Sequence, residues 1–160
     1  MRLPEDDDYG VECIRRAFEL GVNYIDTASG YNSGSGKPSE EVVGEALKGW
    51  RDGVKIATKN PKYREGTDPD DWWADLERSL ERLDVDHIDF YKICHALTLE
   101  NFRDRVEPDY LDTIMKAKEQ GIFSYTCFST HDSPENIMEL VDTGQFDGML
   151  VQYNLLDGKN

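Results

Sequence analysis

Apolar positions along the chain switch repeatedly between helical spacing and short continuous runs. Over 8–20 (DYGVECIRRAFEL), Val11, Ile14, Ala17, Phe18 and Leu20 fall near one helical face. Asp6 to Asp8 supply N-cap candidates and Gly21 a C-terminal stop. VNYI (22–25) then reads as a short buried strand. SEEVVGEALK (39–48) opens with an N-cap serine and acidic first-turn residues, so it predicts a helix. VKIAT (54–58) is a second strand, and 68–83 a long amphipathic helix on Trp72, Trp73, Leu76, Leu80 and Leu83. HIDFYKI (87–93) is a third strand, followed by a polar loop and a helix over about 107–119 that Gly121 closes. IFSYTCF (122–128) is a fourth strand. Ser133-Pro134-Glu135 opens a helix running to about 141, and 146–153 forms a fifth strand.

Strands alternating with helices predict an α/β domain with parallel strands and helical crossovers. Two architectures compete, an open doubly wound sheet and a (β/α) barrel. The glycines of SGYNSGSGKPS match neither the G-x-G-x-x-G fingerprint nor a G-K-[ST] phosphate loop, which favours the TIM barrel family. Five predicted strands are too few for a whole barrel. The chain begins at a helix and ends just after a strand, so the expectation is a single partial barrel domain over 1–160, a middle piece. Its two unpaired edges predict self-association.

At 38% hydrophobic the chain is polar, but the periodic segments argue against disorder. A net charge of -15 argues against nucleic acid or an anionic membrane as partner. No apolar run is long enough to span a bilayer, and the start lacks a signal peptide's apolar core. Cys13, Cys94 and Cys127 are odd in number, far apart and without metal spacing, which points to a reducing compartment, the cytoplasm.

The chemistry lies at the carboxyl ends of the strands, which in a barrel open onto one face. They carry, in order, Asp26 with Tyr31 in the next loop; Lys59; His95; Ser129, Thr130 and His131; and Tyr153 with Asn154. A free tyrosine, with a pKa of about 10, is a poor acid near neutrality. The Lys59 ammonium would stabilise its phenolate, and Asp26 would hold Lys59 in place. His95 would align a carbonyl oxygen. Together they can protonate that oxygen while a hydride reaches the carbon.

GVNYIDTASGY, SEEVVGEALK, VKIATK, LERLDVDHIDFYKICH and CFSTH, in that order, closely resemble the aldo-keto reductases from about residue 10 onward. The resemblance implies NADPH-dependent reduction of a small carbonyl substrate, an aldehyde or ketone, on a TIM barrel. NADH stays open, because the loops that bind the 2′-phosphate have no counterpart here. The resemblance maps the family's catalytic tetrad onto Asp26, Tyr31, Lys59 and His95. Ser129 and Thr130 match the family's Ser-Asn pair for the nicotinamide carboxamide, with threonine in the asparagine place. FSTH and YNLLD look most like a branch of larger bacterial reductases, some with a C-terminal iron–sulfur segment. No metal-ligand set appears here. The family's sixth-strand glutamine aligns with Leu150; Gln152, two residues on, faces the same side by strand alternation.

A rival reading is a non-catalytic cofactor-sensing or interaction protein on the same scaffold, or a fragment inactive alone. His131 fits a supporting or solvated role and His87 a structural one. Trp72 and Trp73 fit helix packing, and Cys94 a small buried hydrophobe. Lys92 lies inside a strand, and the sequence alone assigns it no role.

Overall fold

The computed structural model describes residues 4–61 and 68–152. Five strands form one parallel sheet in sequence order: β1 (Tyr24–Asp26), β2 (Lys55–Lys59), β3 (Ile88–Lys92), β4 (Phe123–Ser129) and β5 (Gly148–Leu150). The sheet curls into a half-barrel with helices on its convex side. The register sets Asp26 beside Ala57, Lys59 beside Lys92, and Lys92 beside Cys127. Strand alternation then turns Asp26, Lys59 and Lys92 to the same concave face.

The helices begin where local chemistry dictates. In α1 (Asp7–Glu19) the Asp6 carboxylate accepts from the backbone N–H groups of Asp8 and Tyr9. The helix α3 (Pro69–Leu83) starts on a capping box of Asp68 and Asp71 with Pro69 in its first turn, and ends at Asp84 in the left-handed conformation. Ser133 caps α6 (Pro134–Asp142).

Two expectations are corrected. Ser39 is not an N-cap: Pro38 holds that position, and Ser39 is the first residue of α2 (Ser39–Leu47). Its buried hydroxyl instead meets Thr27 Oγ1 at 2.7 Å, because the helix start is pressed against β1. The helix predicted over about 107–119 begins much earlier. Thr98 caps α4 (Leu99–Asn101), a π-helical stretch follows over Phe102–Tyr110, and α5 (Leu111–Glu119) completes it. Pro108 has no N–H to donate and crowds the turn before it, so the chain continues in wider turns. The Leu111 N–H accordingly bonds five residues back, to the Val106 carbonyl.

The core lies between sheet and helices. Val42, Val43 and Ala46 of α2, with Leu76 and Leu83 of α3, pack with Ile56 and Ile88 in a single hydrophobic cluster. Trp72 is buried, as packing predicted; its ring meets Tyr91 edge-on at 5.7 Å and its Nε1–H donates to the Ile93 carbonyl. Trp73 is half-buried against the same cluster. His87 sits at the start of β3, bonded to the Gly121 carbonyl and Ser124 hydroxyl, a structural position. Among the described residues, no helix is long and apolar enough to cross a membrane, and no cluster of His, Cys, Asp or Glu could hold a metal. The end of the predicted fifth strand, with Tyr153 and Asn154, lies outside the described residues.

Candidate active site

Past its last strand residue, Asp26, the chain keeps following β2. The Thr27 N–H bonds the Ala57 carbonyl, and the Ser29 N–H and hydroxyl bond the Lys59 carbonyl. Tyr31 is then pinned from both sides: its N–H donates to Ala28, and its carbonyl accepts from the Ser39 N–H. A loop otherwise free to wander thereby holds its phenol over the end of β2.

Lys59 closes β2 and is almost cut off from water, its side chain 3% exposed. Its Nζ donates to Asp26 Oδ1 at 3.1 Å and to Tyr31 Oη at 3.3 Å, and lies 4.6 Å from the Tyr31 ring centroid. Asn60 fixes the strand end behind it: its N–H bonds the Lys92 carbonyl, and its amide donates to Trp72 O and Tyr91 Oη. With one phenol lone pair taken by Lys59, the Tyr31 O–H can donate outward.

His95 stands three residues past the end of β3, in a turn stitched to β4. Ile93 N–H bonds the Cys127 carbonyl, Leu97 N–H bonds the Ser129 carbonyl, and Ala96 N–H bonds Ser129 Oγ at 3.2 Å. Ala96 adopts φ 54°, a left-handed conformation that sharpens the turn beside His95. Tyr31, Lys59 and His95 line one cavity of 220 Å³, closed further by Ala28, Ser29, Gly30, Asn60 and Pro61. A larger groove of 610 Å³ lies at the opposite ends of the strands, between Lys48, Arg51, Leu80 and Asp84, away from these side chains.

The structure therefore brings Asp26, Tyr31, Lys59 and His95 together. Ser129 ends β4, half-buried against the His95 turn; its contact to the Cys94 carbonyl is long, at 3.5 Å. Thr130 is buried, its N–H on the Leu150 carbonyl and its hydroxyl accepting from the Asp132 N–H. His131 is exposed and shares a 210 Å³ cavity with Thr130, Asp132 and Gln152. Because β5 ends at Leu150, the alternation that would carry Gln152 to the same face does not extend to it.

Sequence reasoning missed Lys92. It lies on β3 directly beside Lys59, its side chain 3% exposed, and its ammonium pairs with Asp26 Oδ2. The available signal was a lysine inside a strand of a βαβ sheet, where both faces are normally covered and apolar. Burial alone would raise the Asp26 carboxyl, but the Lys92 and then the Lys59 ammonium outweigh it and hold it below the usual carboxylate range. Burial lowers the Lys92 amine, and Asp26 offsets this only in part. Tyr24 also donates to Asp26 Oδ2, at 3.4 Å; burial first and then the Asp26 charge push its phenol up to about 12.

Residues 3–159 match the sequence model of the Aldo/keto reductase family. Uncharacterized oxidoreductase YqkF of Bacillus subtilis is 29% identical over 98% of this chain and 51% of its own length. NADH-specific methylglyoxal reductase of Escherichia coli is 27% identical over 92% of this chain and 48% of its own. Among solved structures, an aldo/keto reductase from Klebsiella pneumoniae in complex with NADP and acetate superposes with a TM-score of 0.76 at 27% identity, over 94% of this chain and 50% of that one. The chain thus spans about half the length of these relatives.

Proposed function

This chain belongs to the aldo/keto reductase family, and on that premise we propose that it serves an NADPH-dependent reduction of an aldehyde or ketone to an alcohol, with Tyr31 as proton donor. The observation that carries this reading is the placement of Lys59 Nζ between Asp26 Oδ1 and Tyr31 Oη. The Lys59 ammonium stabilises the negative charge left on Tyr31 when its proton goes to the carbonyl oxygen. Asp26 holds Lys59 in that position. His95, across the 220 Å³ cavity, aligns the carbonyl oxygen toward Tyr31. When bound, the nicotinamide supplies a hydride to the carbonyl carbon and is itself oxidised.

Ser129 and Thr130 are the residues proposed to hold the nicotinamide carboxamide. The hydrogen of the Ser129 hydroxyl suits a carboxamide oxygen, since its contact to the Cys94 carbonyl is at the limit of hydrogen bonding. The preference for NADPH follows the Klebsiella relative, which is complexed with NADP. The Escherichia coli relative, NADH-specific by name, makes NADH the alternative to test.

The test is Tyr31→Phe in the intact protein. Reductase turnover is expected to fall by about two to four orders of magnitude, with NADPH affinity by calorimetric titration nearly unchanged. Turnover at the wild-type rate in that variant would refute the assignment. Wild-type protein that binds NADPH but reduces no carbonyl would favour the cofactor-sensing alternative. Tighter binding of NADH than of NADPH would reverse the cofactor preference alone.

A further inference from the structure

The candidate tetrad leaves Lys92 unused, although it is the most unusual charge in the sheet. Lys59 and Lys92 are direct neighbours on adjacent parallel strands, both side chains nearly water-free. Like charges in such a pair repel, and a buried ammonium without a counter-charge is costly. One carboxylate serves both: Asp26 gives Oδ1 to Lys59 and Oδ2 to Lys92. A single negative charge between two positive ones leaves an uncompensated positive charge, and the group touching Lys59 on its other side is the Tyr31 phenol.

We propose that Lys92 is a positioning residue of this active site: by occupying Asp26 Oδ2, it prevents Asp26 from neutralising Lys59 fully, so the Lys59 ammonium keeps its charge for Tyr31. Lys92 does not line the 220 Å³ cavity, so it acts through Asp26 and not on substrate. The groups facing it are Asp26 from β1, Lys59 from β2, and the Cys127 thiol from β4, with the Tyr24 hydroxyl on the same carboxylate oxygen. Burial pushes the Cys127 thiol up to about 11, so it adds no negative charge near neutrality. Asp26 is thus the anion that both lysines share, and it balances one of their two charges. The inference rests on Tyr31 being the proton donor.

The charge balance makes a signed prediction. Lys92→Met leaves Lys59 and Asp26 as a neutral pair, which supports a phenolate less well. Lys92→Arg keeps the charge. Asp26→Asn combined with Lys92→Met removes one charge of each sign and leaves Lys59 positive again. The readout is the tyrosinate absorbance of the intact protein, taken as the difference from the same background carrying Tyr31→Phe. Its pH midpoint is expected to rise by about one unit in Lys92→Met, a roughly tenfold loss of tyrosinate at a given pH. It should stay near the wild-type value in Lys92→Arg and return toward it in the double variant.

The pH profile of carbonyl reduction should move with the absorbance. An unmoved midpoint in Lys92→Met, or a double variant shifted as far as the single, overturns the proposal. If Lys92→Met does not fold, the double variant decides, since it strands no buried carboxylate: a midpoint near wild type supports the charge balance, and a rise of about one unit sinks it. Full turnover in Tyr31→Phe would defeat the proton-donor reading, while the absorbance series would still decide whether Lys92 governs the charge at Tyr31.

Discussion

Burying charge is expensive, and this chain does it at both ends of its strands with the same device, a carboxylate shared by two cations. At the carboxyl ends Asp26 lies between Lys59 and Lys92. At the amino ends Asp89, 7% exposed, takes Lys55 at 2.8 Å and Arg51 at 3.0 Å, and accepts the Ile56 N–H. For Asp89 the penalty of burial is again outweighed, here by Lys55, the Ile56 N–H and Arg51, and its carboxyl lies below the usual range. A carboxyl depressed in the folded state stabilises the fold above its unfolded pKa, and that contribution is lost as pH falls through the folded one. With Asp26 and Asp89 both depressed, the urea midpoint is expected to fall steadily from about pH 5 to about pH 2. Asp89→Asn should be less stable at neutral pH and should lose less on acidification. Measuring urea midpoints of both proteins across that range checks this; parallel curves would show that Asp89 contributes nothing to the acid sensitivity.

The elements were legible where a local signal coincided with the final environment. The Asp6 cap, the long helix read over 68–83, the Ser133-Pro134 start and the strand–helix alternation all acted as their spacing implied. Reading failed where the partner is distant in sequence. Ser39 looks like a cap but meets Thr27. Glu40 is the first-turn acid its position implies, but it is also fully buried, bonded to Thr58 at 2.6 Å and Arg82 at 3.4 Å. The helix read from about 107 starts instead at Leu99, and the chain passes Pro108 by widening its turns. Of the site, the four family-matched side chains were visible from strand-end order, but Lys92 was not. Its meaning depends on the β2–β3 register, which no local window contains.

The contact of α2 with α3 carries a prediction of the same kind. A Cβ on Gly44 would fall 2.6 Å from the Leu83 carbonyl oxygen and 2.8 Å from that of Arg82. Those atoms are backbone, so the helices must separate to admit it. In solvent Gly→Ala favours a helix by up to about 1 kcal/mol, yet overpacking costs about 1–3 kcal/mol. Gly44→Ala is therefore expected to lower the unfolding free energy in urea. A stability equal to or above wild type would mean the two helices yield more easily than this packing implies.

At the scale of the whole molecule, the half-barrel shows its concave face, and among the described residues β1 and β5 each pair with one strand only. Tyr24, Phe90 and Tyr125 form an aromatic row across β1, β3 and β4, with ring centroids 5.7 and 4.9 Å apart. Tyr24 and Tyr125 are nearly half exposed, and Leu150 continues the apolar surface at the β5 edge. Unpaired parallel edges beside exposed aromatic side chains favour pairing with another chain. A net charge of -15 opposes it. The two effects differ in range: charge repulsion is screened beyond about 8 Å at physiological salt, whereas burial of apolar surface is not weakened by salt. These 160 residues, as a free chain, are thus expected to scatter light as more than one 18.3 kDa unit at physiological salt, with the larger species declining as salt is removed. Tyr125→Lys, which puts a charge at the β4 end of the aromatic row, should shift the population toward the monomer. A single 18.3 kDa species at every salt concentration would show that the concave face and its edges do not drive association.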